Sequence, residues 1–296
     1  MILRLITASV ALLVVLPLLF LGGVPGAQVL CVAAACLGIW EYGAMRTPPA
    51  RTSNRAFACV LAALPILAAG LPESPLAAGS NSSAFAPVTM YASRADFTLL
   101  ALGVAFLAIP IARVLIPGDI EKAPEKMTAS VFAVLYLGFM LSFCIALRAI
   151  PNGLYWICLG LACVWMGDTG AYVGGRAFGK HKLHPRVSPG KTWEGSVLGI
   201  ATSLATGFAV FAIYRRAGWW QGALPGAGHT IAVSILAGAL GQVGDLAESL
   251  LKRAAGVKDS GNMFPGHGGM LDRIDALLFA LPGVYFYAKF LYPAFG

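Results

Sequence analysis

Acidic residues crowd the C-terminal half of this sequence. Seven of its 13 Asp and Glu residues lie between residues 168 and 275, namely Asp168, Glu194, Asp245, Glu248, Asp259, Asp272 and Asp275. A carboxylate at the centre of a membrane helix costs about 2.5 to 3.5 kcal/mol on insertion scales, so such a cluster in an apolar chain needs an offsetting use. A polar site at the cytoplasmic interface of a membrane is the simplest one.

The segment from residue 256 to 275 has the composition of a polyphosphate site. Acids and bases alternate there with glycines, which free the backbone to approach a ligand closely. Carboxylates supply the hard oxygens that Mg²⁺ takes, usually one or two of them together with substrate phosphates and waters. Lys and Arg would neutralise the remaining phosphate charge. A surface loop of paired charges is the alternative, and it gives no reason for the glycines.

The preceding stretch, residues 244 to 253, predicts a helix with a polar face. Asp245, Glu248, Ser249 and Lys252 stand at i, i+3, i+4 and i+7, which places them on one side. Taken alone, the pattern is typical of a salt-bridged helix end that leaves the membrane. The segment that follows favours a binding role instead.

A second polar stretch, residues 167 to 195, predicts a basic cytoplasmic loop. Its Gly-Lys-Thr at 190 to 192 is not a P-loop, because Pro185 stands where that pattern needs Gly and no strand is expected before it. Ser188, Lys191 and Thr192 are predicted to donate to phosphate beside the acidic site. For His267, which lies between glycines, a hydrogen bond to phosphate or to the loop backbone is favoured over metal ligation.

The composition excludes an ordinary soluble protein and intrinsic disorder. Of the 296 residues, 58% are hydrophobic and only 11% are charged, whereas soluble domains carry about a quarter charged residues. A fold of the all-α class is predicted, a polytopic membrane protein with about nine transmembrane helices. The predicted spans are 5–21, 27–45, 56–71, 96–116, 127–147, 153–175, 194–214, 229–247 and 275–293.

The distribution of Lys and Arg predicts the orientation. Most of them fall in loops that a cytoplasmic N-terminus would place inside, in keeping with the positive-inside rule. The net charge of +8 therefore needs no nucleic-acid partner. The six cysteines are interpreted as small residues inside helices. The first apolar run, an alternative secretory signal, is favoured as a span, and residues 72 to 94 are predicted to form a flexible loop.

The C-terminal motif resembles the signature of the phosphatidate cytidylyltransferases, also called CDP-diacylglycerol synthases. The similarity covers roughly residues 165 to 293, and the N-terminal half resembles the family only as a series of spans. Two regions are therefore expected, transmembrane helices at 1–150 and a catalytic region at 151–296. The matching residues are Ser249, Lys252, Arg253, Lys258, Asp259, Gly261, Phe264, Pro265, His267, Gly268, Gly269, Asp272, Arg273, Ile274 and Asp275.

The resemblance implies an enzyme that condenses CTP with phosphatidic acid to give CDP-diacylglycerol and pyrophosphate. It implies Mg²⁺ held by Asp245 and Asp272, with Asp168, Asp259 and Asp275 either as ligands of a further cation or as partners of neighbouring bases. Lys252 and Arg273 are expected in catalysis, with a homodimer in a bacterial inner membrane and a site facing the cytoplasm. Predicted substrate-binding residues are Ser188, Lys191, Thr192, Ser249, Arg253, Lys258, His267, Gly268 and Gly269.

Three alternatives stay open at this point. A related CTP-dependent transferase would act on an ether-lipid or polyprenyl phosphate, and apolar grooves would set that choice. A CDP-alcohol phosphotransferase is disfavoured, because its D-G-x-x-A-R run is absent. A cation transporter would also carry intramembrane acids, but an equal share of bases suits phosphate better.

Overall fold

Helices make up most of the chain. The computed structural model describes residues 13–46, 51–72, 74–75, 91–116, 120–220, 225–264 and 268–292. The helices are α1 (Gly23–Met45), α2 (Thr52–Ala68), α3 (Arg94–Leu115), α4 (Ala123–Ala149), α5 (Gly153–Phe178), α6 (Trp193–Ala217), α7 (Ala227–Ala254) and α8 (Leu271–Leu291). Helix α4 contains a π-helical turn at Val134–Phe139, and α8 ends in another at Tyr287–Leu291.

Seven of these helices are long and apolar enough to cross a membrane, and α2 is a shorter apolar helix. This confirms an all-α polytopic membrane protein. Of the first predicted span, 5–21, the structure describes only residues 13–21, and residues 13–20 are helical. The count of nine spans and the orientation of the N-terminus stay predictions.

Outer helices turn apolar side chains away from the protein. Helix α3 buries only Ala105 and Ile109 along its length. It leaves Leu99 and Phe106 each more than 60% exposed. A soluble monomer rarely exposes such a continuous apolar surface, so this face suits lipid hydrocarbon.

Two short antiparallel pairs depart from the expected absence of strands. One joins β1 (Ser74–Pro75) to β2 (Tyr91–Ala92), and the other joins β3 (Lys182–His184) to β4 (Ser188–Thr192). The second pair lies in the stretch that was expected to be a loop. Its hairpin ends where the Thr192 hydroxyl accepts a hydrogen bond from Gly195 N (3.1 Å) and so caps α6.

The hairpin is also held by a carboxylate at the start of α6. Glu194 accepts hydrogen bonds from the backbone N–H groups of Lys180 and His181, and it contacts the His181 ring at 2.6 Å. These contacts fix β3 and β4 against α6. The basic stretch is therefore a shaped element rather than an irregular loop.

The larger of two buried clusters draws on helices from both halves of the chain. It includes Ala27, Ile145, Trp156 and Leu278, each almost fully buried. The helices pack closely where glycine removes a side chain, as at Gly244, where an added Cβ would lie 2.5 Å from the carbonyl oxygen of Asp275. This contact sets α7 against the first turns of α8. All six cysteines are free and lie in helices, as predicted.

Candidate active site

A cavity of about 1200 Å³ opens where α5 and α7 end and where α6 and α8 begin. The hairpin β3–β4 and the residues Lys258, Asp259, Asn262, Phe264 and Gly268 complete its wall. Its volume exceeds the roughly 300–1000 Å³ of ordinary small-molecule sites, so it has room for a nucleotide and a second headgroup. The predicted site residues on its wall are Asp168, Ser188, Lys191, Thr192, Asp245, Lys252, Lys258, Asp259, Gly268, Asp272, Arg273 and Asp275.

Helices carry most of the acids, which confirms the helix predicted around Asp245 and corrects the expectation for Asp272, placed by sequence in a glycine-rich segment. Asp168 lies in α5, Asp245 in α7, and Asp272 and Asp275 in the first turns of α8. A helix holds a side chain more rigidly than a loop. The polar face predicted for residues 244–253 is confirmed, since the Ser249 hydroxyl donates to Asp245 Oδ1 (3.3 Å) one turn away.

Asp272 is the most heavily bonded side chain of the site. Its Oδ1 accepts a hydrogen bond from Lys252 Nζ at 2.6 Å. Its Oδ2 faces the backbone N–H groups of Ser260 (3.0 Å) and Gly269 (2.8 Å) and the Ser260 hydroxyl (2.9 Å). Asp272 therefore holds the 258–269 segment and the end of α7 against α8. A cation bound at Oδ1 would have to displace Lys252.

Lys252 bridges two acids in a nearly dry environment. Besides Asp272 it contacts Glu248, whose side chain is fully buried, while Lys252 itself is only 9% exposed. Removing Lys252 would leave two buried carboxylates without their base, whereas removing either acid would leave the other one paired with Lys252. Glu248 was counted among the clustered acids but was not predicted to be a site residue. Its position one turn before Lys252 was the sequence signal that could have identified it.

The other three helical acids gather on one part of the wall. Asp245 pairs with Lys191 Nζ at 2.8 Å, which ties β4 to α7. Asp275 accepts a hydrogen bond from the N–H of Ala276 (2.7 Å), and Asp168 has no hydrogen bond or ion pair within the described residues. The three carboxylates repel one another, and the bases Lys191, Lys252 and Arg273 offset part of their charge.

This carboxylate group fits Mg²⁺. No three His, Cys, Asp or Glu side chains in the described part of the chain are placed to hold an ion by themselves. Mg²⁺ usually binds one or two carboxylates and completes its octahedron with waters and substrate phosphates. Hard oxygens with excess negative charge, facing a cavity that also holds bases, meet that requirement.

Three predicted residues in the described part of the chain, Ser249, Arg253 and Gly269, are not on the cavity wall. Arg253 donates to the carbonyl oxygens of Val187 (3.2 Å) and Val257 (3.0 Å), so it supports the hairpin and the end of α7. Ser249 and Gly269 act through their bonds to Asp245 and Asp272. His267 lies outside the described residues, and its predicted role is not tested.

Several wall residues were not predicted. Arg176 lies in the last turn of α5 and adds a base, while Tyr172, Asn262 and Phe264 add aromatic and amide groups. Gln242 donates to the carbonyl oxygen of Ser196 at 3.0 Å and also contacts the Ser196 hydroxyl, which joins α7 to α6. A lone amide inside an apolar span was the sequence signal for Gln242.

The N-terminal half contributes one buried carboxylate to this region. Glu41 in α1 is 8% exposed, and its Oε1 accepts a hydrogen bond from Met270 N (2.8 Å). Its Oε2 accepts from Leu271 N (2.9 Å) and faces the Ser260 hydroxyl at 3.1 Å. Glu41 thus caps α8 from another helix, at the end that attracts negative charge. A single acid between Trp40 and Tyr42 in an apolar span was a usable signal that sequence reasoning missed.

Gly269 lies against this network, and a substitution there tests how tightly the network is packed. A Cβ at this position would collide with the Ser260 hydroxyl and with both Glu41 carboxylate oxygens. We expect Gly269→Ala to destabilise the protein by about 1 to 3 kcal/mol, the usual cost of overpacking. Thermal unfolding in detergent measures the effect. Gly103→Ala is the control, because its added methyl meets nothing within 4 Å and should leave the midpoint unchanged.

The fold and this cavity define a polytopic α-helical membrane protein whose polar site is suited to phosphate groups. The sequence model of the cytidylyltransferase family matches residues 2–291, and the chain belongs to that family.

Three bacterial relatives, all named phosphatidate cytidylyltransferase, are similar over part of the chain. The Haemophilus influenzae protein is 44% identical over 137 residues, which are 46% of either chain. The Staphylococcus saprophyticus protein is 41% identical over 152 residues, 51% of this chain and 54% of the relative. The Synechocystis protein is 43% identical over 145 residues, 48% and 46%. The match therefore spans about half the length of these curated relatives.

Proposed function

We propose that this protein transfers the cytidylyl group of CTP to phosphatidic acid, giving CDP-diacylglycerol and pyrophosphate. One observation carries the proposal: a single large cavity between membrane helices combines clustered carboxylates with Lys and Arg side chains. Membership of the cytidylyltransferase family and the names of the relatives support the same reaction.

The reaction is an in-line displacement at phosphorus. A phosphate oxygen of phosphatidic acid attacks the α-phosphorus of CTP, a new P–O–P bond forms, and the bond to the β-phosphate oxygen breaks as pyrophosphate leaves. A phosphomonoester is already anionic near pH 7, so the nucleophile needs no strong general base. Catalysis then rests on positioning and on neutralisation of charge.

The bases on the wall would perform both tasks. Lys191, on the strand β4, and Arg273, on the first turn of α8, face the cavity from opposite elements and would grip the phosphate groups. Lys258, which follows α7 in the chain, also lines the cavity. Lys252, held between Glu248 and Asp272, contributes a fixed positive charge at the floor. Charge-assisted hydrogen bonds of this kind are the stronger ones in proteins.

One or two of Asp168, Asp245 and Asp275 would hold Mg²⁺ at the carboxylate group, and waters and phosphate oxygens would complete its coordination. Bound there, the ion would neutralise charge on the phosphate oxygens as pyrophosphate departs. Ligation by Asp272 or Asp259, and a second cation, stay predictions. Lys191, already paired with Asp245, would keep the phosphates beside these acids.

The same proposal includes topology and location. Nine spans with a cytoplasmic N-terminus would place the basic hairpin and the 258–269 segment on the cytoplasmic side, where CTP is found. A bacterial inner membrane fits the organisms of the relatives. A homodimer is proposed by analogy with the family.

The test is pyrophosphate release by the detergent-purified protein supplied with CTP and phosphatidic acid, with and without Mg²⁺. We expect release to require lipid, CTP and metal together, and Asp245→Asn to lower it by about 100-fold. Asp96→Asn, an equal change in the capping box of α3, should keep the rate. A folded preparation that acts only on ether-lipid or polyprenyl phosphates would contradict the assigned lipid, and uptake of cations by proteoliposomes without CTP would contradict the reaction class.

A further inference from the structure

A second, smaller pocket lies among the first four helices. It sits where α1 and α3 end and where α2 and α4 begin, and four basic side chains line it: Arg46, Arg55, Arg113 and Lys126. None of its lining residues belongs to the large cavity. Both sites nevertheless lie on one side of the helix bundle, because Glu41, near the end of α1, bonds to the start of α8.

The pocket carries an excess of positive charge. Arg46 pairs with Glu125 at 2.6 Å, and Glu125 is 61% exposed. Arg113 donates to the neutral Asn54 side chain at 2.9 Å, while its Nε is buried without a hydrogen-bond partner. Lys126 has no ion pair within the described residues. Within the described residues, Glu125 thus pairs with Arg46, while Arg113 and Lys126 have no carboxylate partner.

The side chains are held in place rather than free at the surface. Arg55 donates to the carbonyl oxygen of Trp40 at 3.3 Å and stacks over its ring at 5.4 Å. Gly43 makes room for it, since a Cβ there would lie 2.9 Å from Arg55 Cγ. The neutral Asn54 side chain fixes the direction of Arg113 without cancelling its charge. A bound anion would supply the missing compensation and an acceptor for the Arg113 Nε.

We propose that this pocket binds one phosphate group, carried by an anionic lipid or free in solution. Its volume of about 30 Å³ corresponds to roughly two water-sized positions, which admits phosphate oxygens but not a base or a sugar. Basic pockets between membrane helices suit anionic headgroups for the same electrostatic reason. This site stands apart from the proposed reaction, and its test uses binding alone.

The experiment measures binding to the full-length protein in neutral detergent by native mass spectrometry and by the shift in thermal unfolding. The probes are phosphatidylglycerol, phosphatidylcholine and inorganic phosphate. We expect saturable binding of phosphatidylglycerol, and a loss of affinity of about tenfold or more in the double variant Arg113→Gln/Lys126→Gln, as expected when charged hydrogen bonds are removed. Equal binding of inorganic phosphate would identify the free ion as sufficient, and binding of the lipid alone would identify a headgroup site.

The matched control is Arg215→Gln/Arg216→Gln, which removes the same charge from exposed positions at the end of α6. It should bind as the unmodified protein does. An equal loss in both double variants, or no saturable binding of either anionic probe, would overturn the proposal. If the first double variant does not fold, Lys126→Gln alone provides the same comparison, since its side chain makes no ion pair in the described ranges.

Discussion

Asp272→Asn is expected to lower CTP-dependent pyrophosphate release by about 100-fold or more, the size of effect produced when a positioned group moves by about 1 Å. The carboxylate accepts bonds from Lys252, Ser260 and Gly269 at once. The asparagine amide keeps one acceptor oxygen, but its NH₂ group would face either the Lys252 ammonium or the backbone N–H groups, which are themselves donors. Lys252 would keep only Glu248 as its partner, and the cavity floor would lose its arrangement.

The rate measured at saturating CTP and lipid, together with membrane insertion, separates this effect from loss of the protein. Insertion and helical content should be preserved, because the substitution lies at the polar end of α8 and leaves its apolar length unchanged. A rate within about twofold of the unmodified enzyme would show that the network around Asp272 is dispensable.

Glu41→Gln is expected to lower the rate by about tenfold although the side chain is not on the cavity wall. Each hydrogen bond to a charged group contributes about 1.5 to 3 kcal/mol, and the amide can accept at only one of its two atoms. The α8 N-terminus would loosen, and Ser260 and Asp272 would move with it. We therefore expect a fall in kcat, a higher Mg²⁺ concentration for half-maximal rate and a lower unfolding midpoint.

Glu125→Gln provides the same change at an exposed position. Because Glu125 is 61% exposed, solvent screens its ion pair with Arg46, and we expect this pair to contribute little to stability. If Glu41→Gln and Glu125→Gln behave alike in rate and Mg²⁺ requirement, the capping of α8 by α1 has no part in the site. Glu41→Asp, which retains the charge on a shorter stem, should recover part of the lost rate.

The apolar runs predicted the helices well, because a span of about 20 residues is dictated by the thickness of the bilayer. The polar ends of these helices were harder to predict from the sequence. Arg176 was assigned to a loop after a span ending at residue 175, yet α5 continues to Phe178. Within a protein, neighbouring helices supply partners for polar groups, so a hydropathy pattern ends before the helix does. The β3–β4 pairing was not predicted, because its strands have no alternating apolar pattern.

Local spacing likewise predicted the local part of the site. The i, i+4 relations in α7 place Asp245 beside Ser249 and Glu248 beside Lys252, as the helix period requires. Contacts between distant segments were not predictable in this way. The pairs Lys191–Asp245 and Glu41–Leu271 depend on how helices pack, and a single sequence holds no spacing rule for that.

The bond between Glu41 and α8 also bears on the order in which the chain assembles. Glu41 precedes its two backbone donors by 229 and 230 residues. At about 5 to 20 residues per second, synthesis of that interval takes roughly 10 to 50 s. Throughout this time the newly made carboxylate has none of the partners it has in the finished protein. The polar site therefore becomes complete only when the final span enters the bundle, so a nascent chain stopped before α8 would hold an unsatisfied acid for quality-control proteases to find.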